Sequence, residues 1–169
     1  MPAEDLRFAD HPTTEASVDI SAPPSDVFAL VEDISLPARF STEFRGADWL
    51  DGADRPALGA RFVGRNQHPQ AGTWETTSTI VEYEPDRVLA YAVGDPTNAA
   101  ATWRFTLQPS ASGTRLTHWV QLGPGPSGLT SVLEAMPDKE SRILHVRLGE
   151  HRANMEVTLA GIKALAESE

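Results

Sequence analysis

Two of the five histidines occupy positions suited to proton transfer or to orienting a ligand. In Leu116-Thr117-His118-Trp119-Val120-Gln121-Leu122, apolar alternation puts Leu116, Val120 and Leu122 on one face of a strand, and His118 shares it. His151 falls in the apolar stripe of a helix near the C-terminus. Two imidazoles then face an apolar interior. Three roles stay open for them: hydrogen bonding in the core or at a cavity mouth, recognition of a ligand, and general acid–base chemistry near neutral pH. His118 and His151 are the catalytic candidates in the last case.

Other chemistries find little footing. His11 and His68 are expected in loops, and His145 and His151 are six residues apart, on different helix faces. No metal-ligand spacing results, so no metal site is expected. The chain has no cysteine. That removes disulfides, thiolate ligands and thiol nucleophiles, and it agrees with a reducing compartment. Gly123-Pro124-Gly125-Pro126-Ser127-Gly128 matches the spacing of a dinucleotide loop. Pro124 and Pro126 have no N–H to offer a pyrophosphate, and no strand–helix–strand unit surrounds them. The loop reads as a stiff connector, and no cofactor is expected. No Gly-x-Ser-x-Gly occurs, which leaves a hydrolase without its nucleophile elbow. Glu75 is the only acid in Gly72–Ile80, and either register of that strand could turn it inward.

The elements that position these residues follow from pattern. Glu15–Ser21 alternates as a strand. Ser21-Ala22-Pro23-Pro24-Ser25-Asp26 ends it and starts a helix, since proline is tolerated in a first turn and Ser25 or Asp26 can cap. Val27, Phe28, Leu30, Val31 and Ile34 form its apolar face, and Leu36–Phe40 gives a second short helix. Strands follow at 47–50, 60–67, 72–83, 88–93, 100–107 and 114–122, joined by hairpin-length turns, which implies an antiparallel sheet. Residues 129–136 form a lead-in to a helix over 138–166. Its Leu144, Leu148, His151, Met155, Leu159, Ile162 and Ala166 fall on one stripe. A helix of about 30 residues is roughly 45 Å long. It cannot bury that stripe alone, so the sheet must curve around it.

The 169 residues suit one domain, over 15–167, with a loose N-terminal arm over 1–14. Net charge is −10, and residues 1–54 hold twelve acids against three bases. That acidity argues against nucleic acid. It reads as a solvated surface, with a docking face for a basic partner as the alternative. There is no signal-peptide pattern and no apolar run near the roughly 20 residues of a membrane span, so a cytoplasmic protein is expected. Trp119 lies on the strand face opposite His118, a hint of a partner or homodimer surface.

Several segments together resemble the helix-grip, or Bet v 1-like/START-like, superfamily, and most of all its SRPBCC, polyketide cyclase/dehydrase-like branch. They are Ser21-Ala22-Pro23-Pro24 with Val27-Phe28, and Thr73-Trp74 through Ile80-Val81 to Glu84-Pro85. Thr102-Trp103-Arg104-Phe105, Gly113-Thr114-Arg115-Leu116-Thr117, Asn154-Met155 and Ile162-Lys163 complete the set. The resemblance implies an α+β helix-grip fold: a curved antiparallel sheet of six or seven strands around the long C-terminal helix, with two short helices after the first strand. It also implies that sheet and helix need not touch everywhere. The expected function is therefore binding of a hydrophobic small molecule, lipid- or polyketide-like, in a cavity between them. The expected lining is Phe62, Trp103, Phe105, His118, Val120, His151, Met155 and Leu159. The alternatives are a polyketide cyclase/dehydratase-type enzyme using the cavity histidines, and a protein-interaction module.

Overall fold

A computed structural model of the chain describes residues 4–168. Its seven strands are β1 (Thr13–Ile20), β2 (Phe44–Trp49), β3 (Arg61–His68), β4 (Gly72–Glu84), β5 (Val88–Val93), β6 (Ala101–Ser110) and β7 (Gly113–Leu122). They form one sheet in the order β1-β7-β6-β5-β4-β3-β2, with every neighbouring pair antiparallel. Helix α1 (Pro24–Val31) and a 3₁₀ turn (Leu36–Arg39) fill the link from β1 to β2. Helix α2 (Gly128–Ala135) leads through a 3₁₀ turn at Pro137–Lys139 to helix α3 (Glu140–Glu167). This is the expected α+β helix-grip architecture.

The helix stripe is buried as its spacing predicts: Leu144, Leu148, His151, Met155, Leu159, Ile162 and Ala166, joined by Thr158. It meets the inward residues of β1 and β7 and the buried face of α1, Val27, Phe28 and Val31. Pro24 opens α1 at its first turn, where a missing N–H leaves no bond unmade. Ser127 caps α2 by accepting from the Leu129 N–H, while its own N–H donates to Thr130.

Several boundaries differ from expectation, each for a local reason. β6 runs through Pro109 to Ser110 rather than ending at Leu107. The Leu107 N–H donates to the Arg87 carbonyl, so Pro109, two residues on, faces the same side. β5 begins only at Val88, so the N–H that proline lacks would have no strand partner there. β1 begins at Thr13, where Thr13 and Thr14 pair with Gln121 and Val120. Of the expected N-terminal arm, residues 1–3 lie outside the described residues. From Glu4 onward the segment is tied to the start of α3. The Leu6 N–H donates to Ser141 Oγ and the Phe8 N–H to the Glu140 carboxylate, at 2.9 and 2.8 Å.

The register of β4 answers the question left open for Glu75. Trp74 pairs with Asn66, Thr76 with Gly64 and Ser78 with Phe62, and this row faces inward. Glu75 pairs with Arg65 on the outer face and is exposed. Trp119 does lie on the outer face, but half-buried: the Arg104 guanidinium sits 4.5 Å above its ring and also pairs with Glu82. A cation stacked on the indole covers the surface that an exposed tryptophan would have offered.

Gly113 carries a structural demand that its sequence segment does not announce. Its φ is +146°, and a Cβ there would stand 2.6–2.7 Å from the backbone oxygen and nitrogen of Ala22 and the carbonyl of Ile20. Those are backbone atoms at the β1–α1 junction and cannot rotate away. Gly113→Ala is expected to cost about 2–3 kcal/mol, from the left-handed backbone and the clash together. Urea denaturation measures it, and a midpoint equal to wild type would contradict the reading.

Candidate functional site

The site is built on the concave side of β6 and β7, where α3 crosses. Phe105 and His118 are direct partners across the β6–β7 ladder, and Trp103 pairs with Val120 one step along. The His118 ring stacks on Phe105, with centroids 3.9 Å apart and planes 9° apart. Trp103 stands 5.3 Å from His118 and meets His151 of α3 edge-on at 4.9 Å. Four of the expected lining residues, Trp103, Phe105, His118 and His151, thus form one ring cluster bridging sheet and helix. Val120 and Met155 are buried beside it. Phe62 stands apart on β3, between Trp49 at 5.7 Å and Tyr91 at 5.1 Å, and reaches the cluster only through Tyr91, the ladder partner of Trp103. Leu159 lies further along α3 and lines a groove of about 390 Å³ against Ser17 and Val18 at the β1 edge.

Neither nitrogen of His118 has a hydrogen-bond partner, and both are shut off from solvent. Burial pushes its pKa down to about 3. His151 is pushed down to about 3 as well, first by burial, then by the positive charge of Arg147 and by His118. Both rings are therefore neutral at pH 7, and each can donate from one nitrogen and accept at the other. Tyr91 lies as deep: burial raises its phenol well above the ordinary value, although part of its surface stays uncovered. Sequence reading gave Tyr91 no place in the site. The β4–β5 register places it there. Tyr91 pairs with Ile80 of β4 and with Trp103 of β6, both on the inward row.

A second cluster escaped sequence reading altogether. His68 is the last residue of β3, not a loop residue, and its Nε2 lies 3.0 Å from Glu150 Oε2 of α3. Arg147 grips Glu43 with both terminal nitrogens, at 2.6 and 2.7 Å, and reaches Glu150 at 3.0 Å. Potential ligand atoms of Glu43, His68 and Glu150 lie within 4.8 Å of one another. The Arg147 guanidinium, though, already supplies the positive charge that a metal ion would bring, holding Glu43 bidentately and Glu150 through one bond. The four residues come from 43, 68, 147 and 150, a spacing with no sequence signature.

No helix among the described residues is long and apolar enough to cross a membrane. Among curated proteins, no match is found. Solved structures give many. The Polyketide_cyc-like protein Cgl2372 from Corynebacterium glutamicum is 32% identical, with a TM-score of 0.62 over 92% of this chain and 91% of that one. Protein CV1439 from Chromobacterium violaceum is 19% identical, with a TM-score of 0.61 over 93% and 99%. The di-domain ARO/CYC StfQ from the steffimycin biosynthetic pathway, at 17% identity, reaches a TM-score of 0.67 over 92% of this chain and 51% of its own. The last two likenesses speak for the fold. A family model described as polyketide cyclase / dehydrase and lipid transport matches residues 11–149, from just before β1 into α3. With four-fifths of its length so matched, and with the grip of sheet and helix that the match entails, the chain belongs to the polyketide cyclase / dehydrase and lipid transport family.

Proposed function

We propose that the protein binds a hydrophobic small molecule, lipid- or polyketide-like, between the concave face of the sheet and α3. One observation carries the reading: His118 holds two polar atoms, unpaired and sealed from water, among aromatic rings on the helix-facing side. An unsatisfied buried polar group costs about 1–3 kcal/mol, and folded proteins rarely keep one without a use. A ligand carbonyl or hydroxyl that reaches the ring after a shift of Trp103 would satisfy it, while the surrounding rings supply apolar area. Membership of a family that includes lipid transport supports the same reading. The acidic surface leaves nucleic acid out of it, and no membrane span is involved.

The expected result is thermal stabilisation by members of a panel of fatty acids, sterols and aromatic polyketides. A ligand at a hundred times its Kd adds about 2.7 kcal/mol. That shifts the melting temperature of a domain of this size by several degrees. A panel without any shift, together with native mass spectra free of bound ligand, would remove the proposal.

A second reading, cyclase or dehydratase chemistry, rests on the closeness of two neutral imidazoles to the same indole, that of Trp103. General acid–base catalysis needs both to reach one reacting atom. Turnover of a bound polyketide that is lost in both His118→Phe and His151→Phe would favour it over binding alone.

A further inference from the structure

We propose that Glu43, Arg147, Glu150 and His68 form a clasp that closes the grip between α3 and the β2–β3 edge, and that ligands enter where this clasp opens. The clasp rests on the ligand-binding reading for its purpose, but its geometry stands apart from it.

The two halves of α3 are held differently. The C-terminal half combines apolar packing with two polar ties to the end of β1, from Lys163 to the Asp19 carbonyl and from the Ser21 N–H to Glu167. Leu159 and Ile162 are buried, and Phe40 packs so closely on Gly161 that a side chain there would meet its ring. On the β2–β3 side, the direct side-chain bonds from α3 are polar. Arg147 bonds Glu43, Glu150 faces His68, and Asn154 accepts from the N–H and hydroxyl of Thr42. Separating apolar surfaces exposes them to water with nothing in return. Separating a polar pair exchanges its bonds for bonds to water. On this side, therefore, water can replace what an opening breaks.

What lies behind it fits an opening. Asn66, Trp74 and Thr76 stand on the inward row of β3 and β4 beside the clasp and are only half-buried. His151, whose ring touches Trp103, follows Glu150 directly in the helix. A molecule passing between His68 and Glu150 would meet these residues on its way to the ring cluster.

The bonding of His68 makes the clasp definite. Its Nδ1 accepts from the Gln70 N–H at 3.1 Å, within the turn that joins β3 to β4. The neutral ring therefore carries its proton on Nε2 and donates it to Glu150. One imidazole fastens the hairpin to itself and to the helix. On the other side of Glu150, Arg147 completes a chain from Glu43, just before β2, to β3 across the helix surface. Three of the partners are largely covered, with side-chain exposures of 14% for Glu43, 20% for Arg147 and 16% for His68, and Glu150 between them is 36% exposed. That separates this chain from the open-water pair Arg152–Glu156 on the same helix.

The test follows uptake of the uncharged fluorescent probe N-phenyl-1-naphthylamine by stopped flow. Arg147→Met keeps the stem and removes the fork. It is expected to raise the association and dissociation rates about fivefold or more, the weight of one or two net hydrogen bonds. Glu150→Gln spares the Arg147–Glu43 fork and is the variant to read if Arg147→Met does not fold. His68→Cys with Glu150→Cys, the only thiols in the chain, joined by a short bis-maleimide, is expected to slow uptake about tenfold. Arg152→Ala, which breaks only an exposed pair, should stay within about twofold of wild type. Unchanged rates in Arg147→Met and Glu150→Gln, or undiminished uptake by the cross-linked protein, would overturn the route. A wild-type protein that takes up no probe, and that the panel of fatty acids, sterols and polyketides also leaves unshifted, removes the ligand-binding reading, and the route with it. Amide exchange over residues 61–76 then judges the clasp itself: faster exchange in Arg147→Met upholds it, and unchanged exchange overturns it.

Discussion

Met155→Asp is expected to destabilise the protein by about 4–5 kcal/mol, or to prevent folding, since most domains have only about 5–15 kcal/mol in hand. Met155 is 1% exposed, at the middle of the stripe that α3 turns toward the sheet. The substitution removes apolar contacts and puts a carboxylate on a buried stripe whose one titratable neighbour, His151, is neutral. Either the charge is buried without a partner or the group takes up a proton at a cost of its own. Met155→Leu keeps volume and apolarity and should cost less than about 1.5 kcal/mol. Denaturation of the two variants side by side separates charge from shape. Near-wild-type stability for Met155→Asp would mean that the stripe does not face the core.

That stripe also marks what the sequence makes legible. A period of 3.6 and a period of 2 are local signals, and burial of the α3 residues and of Leu116, His118, Val120 and Leu122 follows them residue by residue. The order of elements, with a family resemblance, was enough for the architecture. What could not be read depends on contacts between distant segments. The inward row of β4 is set by its pairing with β3, since Trp74, Thr76, Ser78 and Ile80 on one row and Thr77, Thr79 and Val81 on the other both mix hydroxyl and apolar side chains. Tyr83 faces inward like Ile80, three residues before it, because of a bulge between them. The N-terminal segment is fixed by Ser141 and Glu140, more than 130 residues away. The Glu43–Arg147–Glu150–His68 chain gathers three elements whose residues, taken singly, look like ordinary surface charges. Sequence reading ended the strand at Gln67 and placed His68 in a loop. The structure shows that the turn begins one residue later.

Acidification is expected to weaken the fold through the two buried histidines, and His118→Phe is expected to remove about half of that effect. His118 and His151 have folded-state pKa values near 3, against an ordinary value of 6.5. A pKa lowered by folding means that the unfolded chain binds more protons between those two values. The stabilisation is complete above pH 6.5 and is lost as pH falls toward 3. At pH 5 each ring accounts for a loss of about 2 kcal/mol relative to pH 7.5, and the two together for about 4. Comparing pH 7.5 with pH 5 in urea keeps most carboxylates ionised, including Glu150. Burial alone would raise the Glu150 pKa, but His68 and Arg147 together hold it below the usual range. In His118→Phe a phenyl ring takes the stacked position on Phe105 and the two unpaired nitrogens are gone. That variant should gain about 1–2 kcal/mol at pH 7.5 and lose about 2 kcal/mol less than wild type on going to pH 5. The same substitution bears on function. Ligands that carry a carbonyl or hydroxyl should lose affinity in His118→Phe, while purely apolar ligands of the same size should keep it. Equal losses for both ligand types would deny the imidazole its part in recognition. An unchanged pH dependence would deny that it is buried and neutral at all.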